Sequence, residues 1–471
     1  MKRVLIANRG EIAVRILRTC HAMGFEAYVA TSEADRDSLA ARLADRAVCI
    51  GPSRASDSYL RRDLLLEVAS KVDCDAIHPG YGFLAEDPVF AEGCADAGIR
   101  FIGPSPDMLR LFGDKVSARN AAAQAGVPIA AGSPPIEDVG SALKTARDIG
   151  FPVMIKAAKG GGGKGMRVVT DEDTLRREFP MASTEAAAAF GDGAVCLERF
   201  VSRGRHVEVQ VVGSPAGEAI HLGDRDCTVQ RQNQKLIEEA PAPSIAPAMQ
   251  ADLRNAAVEL ARSSGYDNVG TVEFLLDAER GEFYFLEVNP RIQVEHGVTE
   301  LVTGQDIVAL QIHIADTGRH GLVQEDIGFR GSAIECRINA ESPRHDFRPS
   351  PGRIVEWRMP EGPAVRVDTH CHPGYFVPPF YDSLLAKVMV HEDDREAAIA
   401  GMLRALTQLH VAGVDTTADL ARSIVGTAEF ARMDLTTRWL GDLLARGRWP
   451  GEDQAGEEPF SPRDGVPADH A

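Results

Sequence analysis

Short apolar runs alternate with helical patterns through the N-terminal part of the chain. VLIA at Val4–Ala7 leads into EIAVRILRTCHAMG, in which Ile12, Ile16 and Leu17 recur at helical spacing. EAYVAT, RAVCIG, DAIHPG and RFIGP follow, separated by helix-like segments such as DLLLEVASK. Strand-like runs alternating with helices predict βαβ units on a parallel sheet. Ligands of such sheets sit beyond the carboxyl ends of the strands, where the turns NRGE and HPGYGFLAED fall.

From about Lys115 to His313 the pattern changes. A helix, KVSARNAAAQAG, is followed by two strands, FPVMIKAAK and GMRVVT, with GGGG between them. After an Ala-rich helix, AVCLERFV, HVEVQVVG and EAIHLGDRD read as consecutive antiparallel strands. A helix around Met249–Ser263 then precedes TVEFLLD and GEFYFLEVN, a hairpin turning through Ala278–Gly281. A third region runs from GSAIECRINAE through PSPGRIVEW and YDSLLAKVMVH to a helix-rich end. The stretch from Arg446 is polar, rich in Pro and Gly and without periodicity, so residues 446–471 are expected to be a disordered tail.

The stretch YFLEVNPRIQVEHG has an unusual polar face. Read as extended, it puts Glu287, Asn289, Arg291, Gln293 and Glu295 on one side and Leu286, Val288, Ile292 and Val294 on the other. Any one of these acids reads as a solvated strand position. The repeated alternation of acids and amides has no structural need, and it favours a site. If Glu273 in TVEFLLD faces the same way, Glu273, Glu287 and Asn289 bring together hard oxygen ligands of the kind Mg²⁺ prefers.

VMIKAAKGGGGKGMRVV is not a Walker P-loop, because Lys164 is followed by Gly165 and Met166 and then by a strand pattern. A Gly-rich hairpin lid over a nucleotide, Gly160–Gly165, fits better, with Lys156 before it and Lys115 upstream. In DCTVQRQNQKLIEEAPAP, Gln230, Arg231, Asn233, Gln234 and Lys235 form a donor-rich cluster that alone reads as a solvated loop.

Composition narrows the class. The chain has 471 residues, 44% of them hydrophobic and 25% charged, which predicts several domains of an ordinary globular protein. Its net charge of −18 argues against a nucleic-acid or anionic-membrane binder. No apolar run approaches the length of a membrane helix, and the N-terminus lacks a leader-like apolar region. The 8 scattered cysteines contain no CxxC pair and read as reduced thiols, so a cytoplasmic enzyme is expected. His370, Cys371 and His372 lack a further ligand at metal spacing and read as structural.

HPGYGFLAE, KAAKGGGGKGMRVV, RHVEVQV, DCTVQRQNQK, LIEEAPAP, EVNPRIQVEH, ECRINAE and PSPGRI, in that order from Met1 to about Leu443, resemble the biotin carboxylase family of the ATP-grasp superfamily. The resemblance implies an α/β and α+β multidomain fold. Its parts are a Rossmann-like preATP-grasp domain (1–114), an ATP-grasp domain with a Gly-rich lid (115–315) and a C-terminal biotin carboxylase domain (330–443). It implies carboxylation of biotin by MgATP (or Mn²⁺) and bicarbonate through carboxyphosphate, with the biotin on a separate carrier protein. A separate carboxyltransferase and a homodimer are implied as well.

Carried over position by position, Lys115, Lys156, Glu198, His206 and Gln230 match nucleotide contacts, with Gly161, Gly162 and Gly163 in the lid. Glu273, Glu287 and Asn289 match the metal ligands. Arg291, Gln293, Val294, Glu295 and Lys235 match the bicarbonate cradle, and Tyr81 and Arg337 lie near the biotin ureido ring. Arg291 suits a flat anion through a two-pronged contact, and Glu295 is the candidate base. The sequence departs from the family at Arg199 and Val201, at Gln232 and Asn233, and at Gly297, where proline is usual. An ATP-grasp ligase joining a carboxylate to an amine shares the lid and the acid pair but not the combination of Lys235, Arg291, Gln293, Glu295 and Arg337. A nucleotide sensor with a decayed site would lack Lys156, Glu287 or Arg337, and all three are present.

Overall fold

The computed structural model describes residues 1–157, 167–190 and 193–451. They divide into two compact units: Met1–Val127 with Arg205–Phe274 and the chain from Leu286 on, and Pro128–Gly204 with Leu275–Phe285.

In the larger unit, β1 (Arg3–Ile6), β2 (Glu26–Ser32), β3 (Arg46–Gly51), β4 (Ala76–His78) and β5 (Arg100–Phe101) form the expected parallel sheet, in the order β3-β2-β1-β4-β5. Alternation along β1 sends Val4 and Ile6 to a core with Ile12, Ile16 and Leu17. Leu5 and Ala7 go to the opposite core with Leu65 and Phe90. The strand order reverses between β1 and β4, where such sheets open a crevice. There Asn8 Nδ2 donates to the carbonyls of Pro79 and Tyr81 at 2.6 and 2.7 Å. Gly80 has φ +63°, and a Cβ on it would lie 2.9 Å from Asn8 Nδ2, so this turn requires glycine.

In the smaller unit, β6 (Val153–Ala157) pairs antiparallel with β7 (Arg167–Val169) and β8 (Val195–Arg199). Val153, Ile155, Val169 and Leu197 pack with Leu143, Ala146, Leu175 and Phe179 from the helices Val139–Ile149 and Glu172–Phe190. This corrects the expected run of consecutive strands. Val195 and Leu197 share the core of Val153 and Ile155, so β8 belongs to this small sheet. The Gly160–Gly165 lid lies outside the described residues.

β9 (Gly204–Gly213), β10 (Ala219–Arg231), β11 (Gln234–Ala240), β12 (Asn268–Asp277), β13 (Glu282–Asn289) and β14 (Ser332–Asn339) enter one eight-stranded sheet. Its order is β13-β12-β9-β10-β11-β14, followed by the strands Leu384–Glu392 and Val365–Thr369. One sheet thus runs through central and C-terminal parts of the sequence, joined by the β11–β14 ladder. The hairpin turn at Ala278–Gly281 falls as expected between β12 and β13.

Two sequence expectations change here. The donor-rich stretch around Gln232 is a tight hairpin, with Gln232 and Asn233 at φ 50° and 65°, both left-handed as a two-residue type I′ turn demands. Gln230 and Lys235 are therefore cross-strand partners, not loop residues. And β13 ends at Asn289, because Pro290 has no N–H for the ladder; Arg291–Glu295 continue as a loop. The alternating face consequently stops at Asn289, and Leu286, expected on the apolar side, is 45% exposed.

Ile334, Cys336 and Ile338 of β14 pack with Val388 and Val390 against the helices Arg395–Gln408 and Ala418–Val425. Trp449 joins this core and donates from Nε1 to Ser423 Oγ at 3.1 Å, so the described chain packs beyond Arg446. No helix of the described residues is long and apolar enough to cross a membrane.

Candidate active site

The large sheet gathers charged side chains into its interior. On β9, parity puts His206, Glu208 and Gln210 on one face between valines, and Glu208 and Gln210 are fully buried. Arg225 of β10, the register partner of Glu208, donates from Nε to its Oε1 at 2.5 Å and from Nη1 to Gln210 Oε1 at 2.8 Å. A buried ionic group persists only when paired on every side, and here it is.

Lys235 of β11 is the hub. Its ammonium donates to Glu208 Oε2 at 2.6 Å, Glu273 Oε1 at 2.8 Å and Glu295 Oε1 at 2.7 Å. Burial works against its charge, but Glu208, Glu295 and Glu273 hold its pKa well above the ordinary lysine value. On the other Glu295 oxygen, Arg337 Nη2 donates at 2.9 Å. Burial alone would raise the Glu295 carboxyl, yet Lys235, Arg337 and Arg225 carry it well below the usual range. Glu295 is therefore an ionised, fully buried carboxylate held by two cations.

Glu273 sits beside it. Asn289 Nδ2 and Gln293 Nε2 donate to Glu273 Oε1 at 2.9 and 3.2 Å, and His206 Nε2 lies 3.0 Å from Oε2. Arg291 lies across the same group: Nη2 reaches Asn289 Oδ1 and Nη1 reaches Gln293 Oε1, both at 3.0 Å, and Nε meets Glu86 Oε1 at 2.5 Å. The loop after Pro290 thus folds Arg291, Gln293 and Glu295 back onto the acids that strand parity alone assigned to them.

Glu287 differs. Among the described residues its half-buried carboxylate has no hydrogen-bond partner, and its pKa is raised by burial and by the Glu273 charge, with Lys115 and His206 pulling the other way. Two carboxylates repelling each other beside an amide oxygen are a donor set that suits a hard divalent cation, since such a charge would relieve the repulsion. Glu208 also lies with His206 and Glu273 in a cluster of metal-ligand spacing, but there Lys235 is the resident cation.

Of the other expected residues, Tyr81 donates its hydroxyl to Glu11, whose carboxylate lies 3.3 Å from Lys387 Nζ. Lys387 in turn donates to the Val294 carbonyl at 2.6 Å. Gln230 is buried, and its Nε2 donates to the Cys227 carbonyl at 3.4 Å. In the smaller unit Lys156 and Glu198 pair with each other across β6 and β8. Gly161, Gly162 and Gly163 lie outside the described residues. In the His370–His372 stretch, His370 and Cys371 are buried and His370 Nε2 lies 3.8 Å from Cys371 Sγ; this stretch is in no metal-spaced cluster of the described residues.

Sequence reasoning missed Glu208, Arg225 and Lys387 and passed over Glu238. The parity argument used on Glu287 would have found Glu208, an acid alternating with valines. Nothing local marks Lys387, which is fully buried and meets Glu11 and the Val294 carbonyl, both far from it in sequence.

A doubly wound N-terminal sheet feeding a sheet lined with paired acids, lysine and arginine defines an ATP-grasp ligase. The chain belongs to the biotin carboxylase family. Residues 1–109 match the biotin carboxylase N-terminal domain, 114–320 the ATP-binding domain of carbamoyl-phosphate synthase L chain, and 335–442 the biotin carboxylase C-terminal domain. The biotin carboxylase of Pseudomonas aeruginosa is 49% identical over 94% of this chain and 99% of its own length. Among solved structures, a Campylobacter jejuni biotin carboxylase complex with β-γ-ATP is 44% identical, covers 94% of this chain and 98% of its own, and superposes with a TM-score of 0.85. The biotin carboxylase domain dimer of Hydrogenobacter thermophilus 2-oxoglutarate carboxylase, with MgADP, ADP and bicarbonate, is 43% identical, covers 94% of this chain and 97% of its own, and has a TM-score of 0.84.

Proposed function

We infer that this chain carries out ATP-dependent carboxylation of biotin with bicarbonate. The observation that carries the reading is the single ammonium of Lys235 shared by Glu208, Glu273 and Glu295, with Arg337 on the far side of Glu295.

In this reading Lys235 and Arg291 hold bicarbonate, with Gln293 and Val294 beside it. Arg291 exchanges its amide partners for the flat anion, whose two oxygens suit a guanidinium. Glu295 accepts the bicarbonate proton. As a carboxylate clamped by two cations it is a weak base, and it strengthens when Arg337 turns away from it toward substrate. The freed oxygen attacks the terminal phosphorus of ATP to give carboxyphosphate, which yields CO₂ and phosphate. That phosphate deprotonates biotin, and Arg337 stabilises the ureido oxygen, with Tyr81 alongside.

Glu273, Glu287 and Asn289 are the residues that hold Mg²⁺ (or Mn²⁺), and bound there the ion offsets the charge of the phosphate oxygens. Nucleotide contacts are assigned to Lys115, His206 and Gln230 in the larger unit, and to Lys156, Glu198 and Gly161–Gly163 in the smaller. The domain division is 1–114, 115–315 and 330–443. The biotin sits on a separate carrier protein, a separate carboxyltransferase completes the complex, the chain pairs with a second copy, and it acts in the cytoplasm.

The family resemblance of the N- and C-terminal parts, together with Arg337 on β14, disfavours a carboxylate–amine ligase. Bicarbonate-dependent ADP release, measured with and without free biotin, tests the reading. ADP release that needs bicarbonate, and rises with biotin as carboxybiotin forms, is expected. Release driven instead by an amine and indifferent to biotin would sink it.

A further inference from the structure

Behind Arg337 two buried acids face each other, and the proposed chemistry gives neither a task. Glu238 on β11 and Glu335 on β14 are directly opposed in the antiparallel ladder, so their side chains stand on one face. Both are fully buried. Arg337 Nε meets Glu238 Oε1 at 2.5 Å. Glu238 Oε2 and both carboxyl oxygens of Glu335 have no hydrogen-bond partner among the described residues.

The charged groups around the pair are already engaged. Lys235, on the same strand as Glu238, is shared by Glu208, Glu273 and Glu295. Arg337 is divided between Glu238 and Glu295, the latter coming from the loop after β13. Lys387, on the strand beyond β14, donates to the Val294 carbonyl and pairs with Glu11. Cys227 of β10 is a buried thiol whose pKa burial and Glu208 push well up, so it stays neutral. Opposed carboxylates repel, and an ionised carboxylate buried without a donor is far costlier than its neutral acid. One shared guanidinium does not compensate two of them.

We propose that Glu238 and Glu335 form a buried acid pair that holds one proton on Glu335 while Arg337 rests on Glu238, and takes up a second on Glu238 when Arg337 turns to substrate. The second proton comes from solvent, forms an O–H bond at Glu238 and returns when Arg337 swings back. Nothing else is made or broken. The directions fit an order of protonation: at Glu335 burial raises the carboxyl well above its ordinary value, with Lys387 opposing and Glu238 adding to the rise, while at Glu238 burial is opposed by Arg337 and the carboxyl pKa stands at about 7. The two acids are positioning residues. They let the guanidinium leave without stranding two adjacent charges in the interior. The second uptake rests on the assignment of Arg337 to the biotin site.

Infrared difference spectra of the full chain, with and without ¹³C-carboxyl glutamate, test this at pH 8, where the resting Glu238 is ionised. A protonated-carboxyl band is expected in the unmodified protein. It should disappear in Glu335→Gln and survive in Glu11→Gln, which controls for another buried acid. Saturating free biotin with bicarbonate should roughly double the band, and should not do so in Glu238→Gln. Absence of the band in the unmodified protein, or its persistence in Glu335→Gln, overturns the pair. Failure of Glu335→Gln to fold does so too, since an amide of the same shape then could not replace a neutral acid. A band that is present but indifferent to biotin overturns the second uptake. If Arg337→Ala carboxylates biotin normally, the Arg337 assignment fails instead, and the substrate-free band still decides whether the resting pair holds its proton.

Discussion

The ammonium of Lys235 lies 2.7 Å from one oxygen of Glu295, and the Arg337 guanidinium lies 2.9 Å from the other. A candidate base is thus neutralised from both sides before substrate arrives. The same lysine also compensates Glu208 and Glu273, so its loss would leave three buried carboxylates short of a cation. Lys235→Met is expected to lower stability by about 3–5 kcal/mol, the usual cost of breaking a buried pair from one side. Denaturant unfolding measures it. A change below about 1 kcal/mol would show that these acids are not held by Lys235.

Glu287 makes no hydrogen bond among the described residues, so its removal leaves no partner stranded. Glu287→Gln is expected to keep the fold and melting temperature while turnover falls by orders of magnitude and the Mg²⁺ requirement rises. Steady-state ADP release across a Mg²⁺ series reads this. Normal turnover would remove Glu287 from the metal site.

Among the described residues the Arg337 guanidinium hydrogen-bonds to Glu238 and Glu295. Arg337→Ala is expected to retain bicarbonate-dependent ATP cleavage better than biotin carboxylation, assayed in parallel as ADP and as carboxybiotin. Equal loss of both would count against its place beside biotin.

Gly297 lies in the first turn of a helix against Met389, and a Cβ there would lie 2.3 Å from the Met389 sulfur. Alanine favours a helix over glycine by about 1 kcal/mol. Overpacking a fully buried neighbour costs about 1–3 kcal/mol and wins. Gly297→Ala should therefore lower the melting temperature. Combined with Met389→Ala, it should cost less than the two single changes added together. Strict additivity would remove the clash as the cause.

His370 is neutral in the fold, its pKa lowered to about 3 by burial and by Arg9, with Asp35 pulling the other way. The unfolded side chain titrates near 6.5, so below that pH the unfolded state binds a proton that the fold refuses, and stability is lost as pH falls. Between pH 7 and 5 the His370→Gln variant should lose about 2 kcal/mol less than the unmodified protein, by denaturant midpoints at both values. Identical pH slopes would place the titration elsewhere.

The βαβ pattern, the hairpin at Ala278–Gly281 and the polar face of Glu287 and Asn289 were legible because each depends on local periodicity, whereas Arg291–Glu295 lie in a loop that periodicity read as strand. Leu5 and Ile6 point to opposite cores simply because a strand alternates. The type I′ turn at Gln232 and Asn233 was not legible, because a polar stretch does not say whether it closes a hairpin. Nor was the sheet that β8 would join, since Val195 and Leu197 would suit any apolar face.

By itself the sequence determined which residue types are available and their local order, and with them the chemistry: acids, amides and guanidinium groups spaced for a cation and a small anion. Only the tertiary structure decided that Pro290 ends the strand and that the following loop brings Glu295 back to Lys235. It also decided that Glu208, Glu238, Glu335 and Lys387 stand within the same buried group. Those contacts join residues far apart in the chain. Pairing across the sheet, with water excluded, fixes which charge meets which, and no local pattern records that.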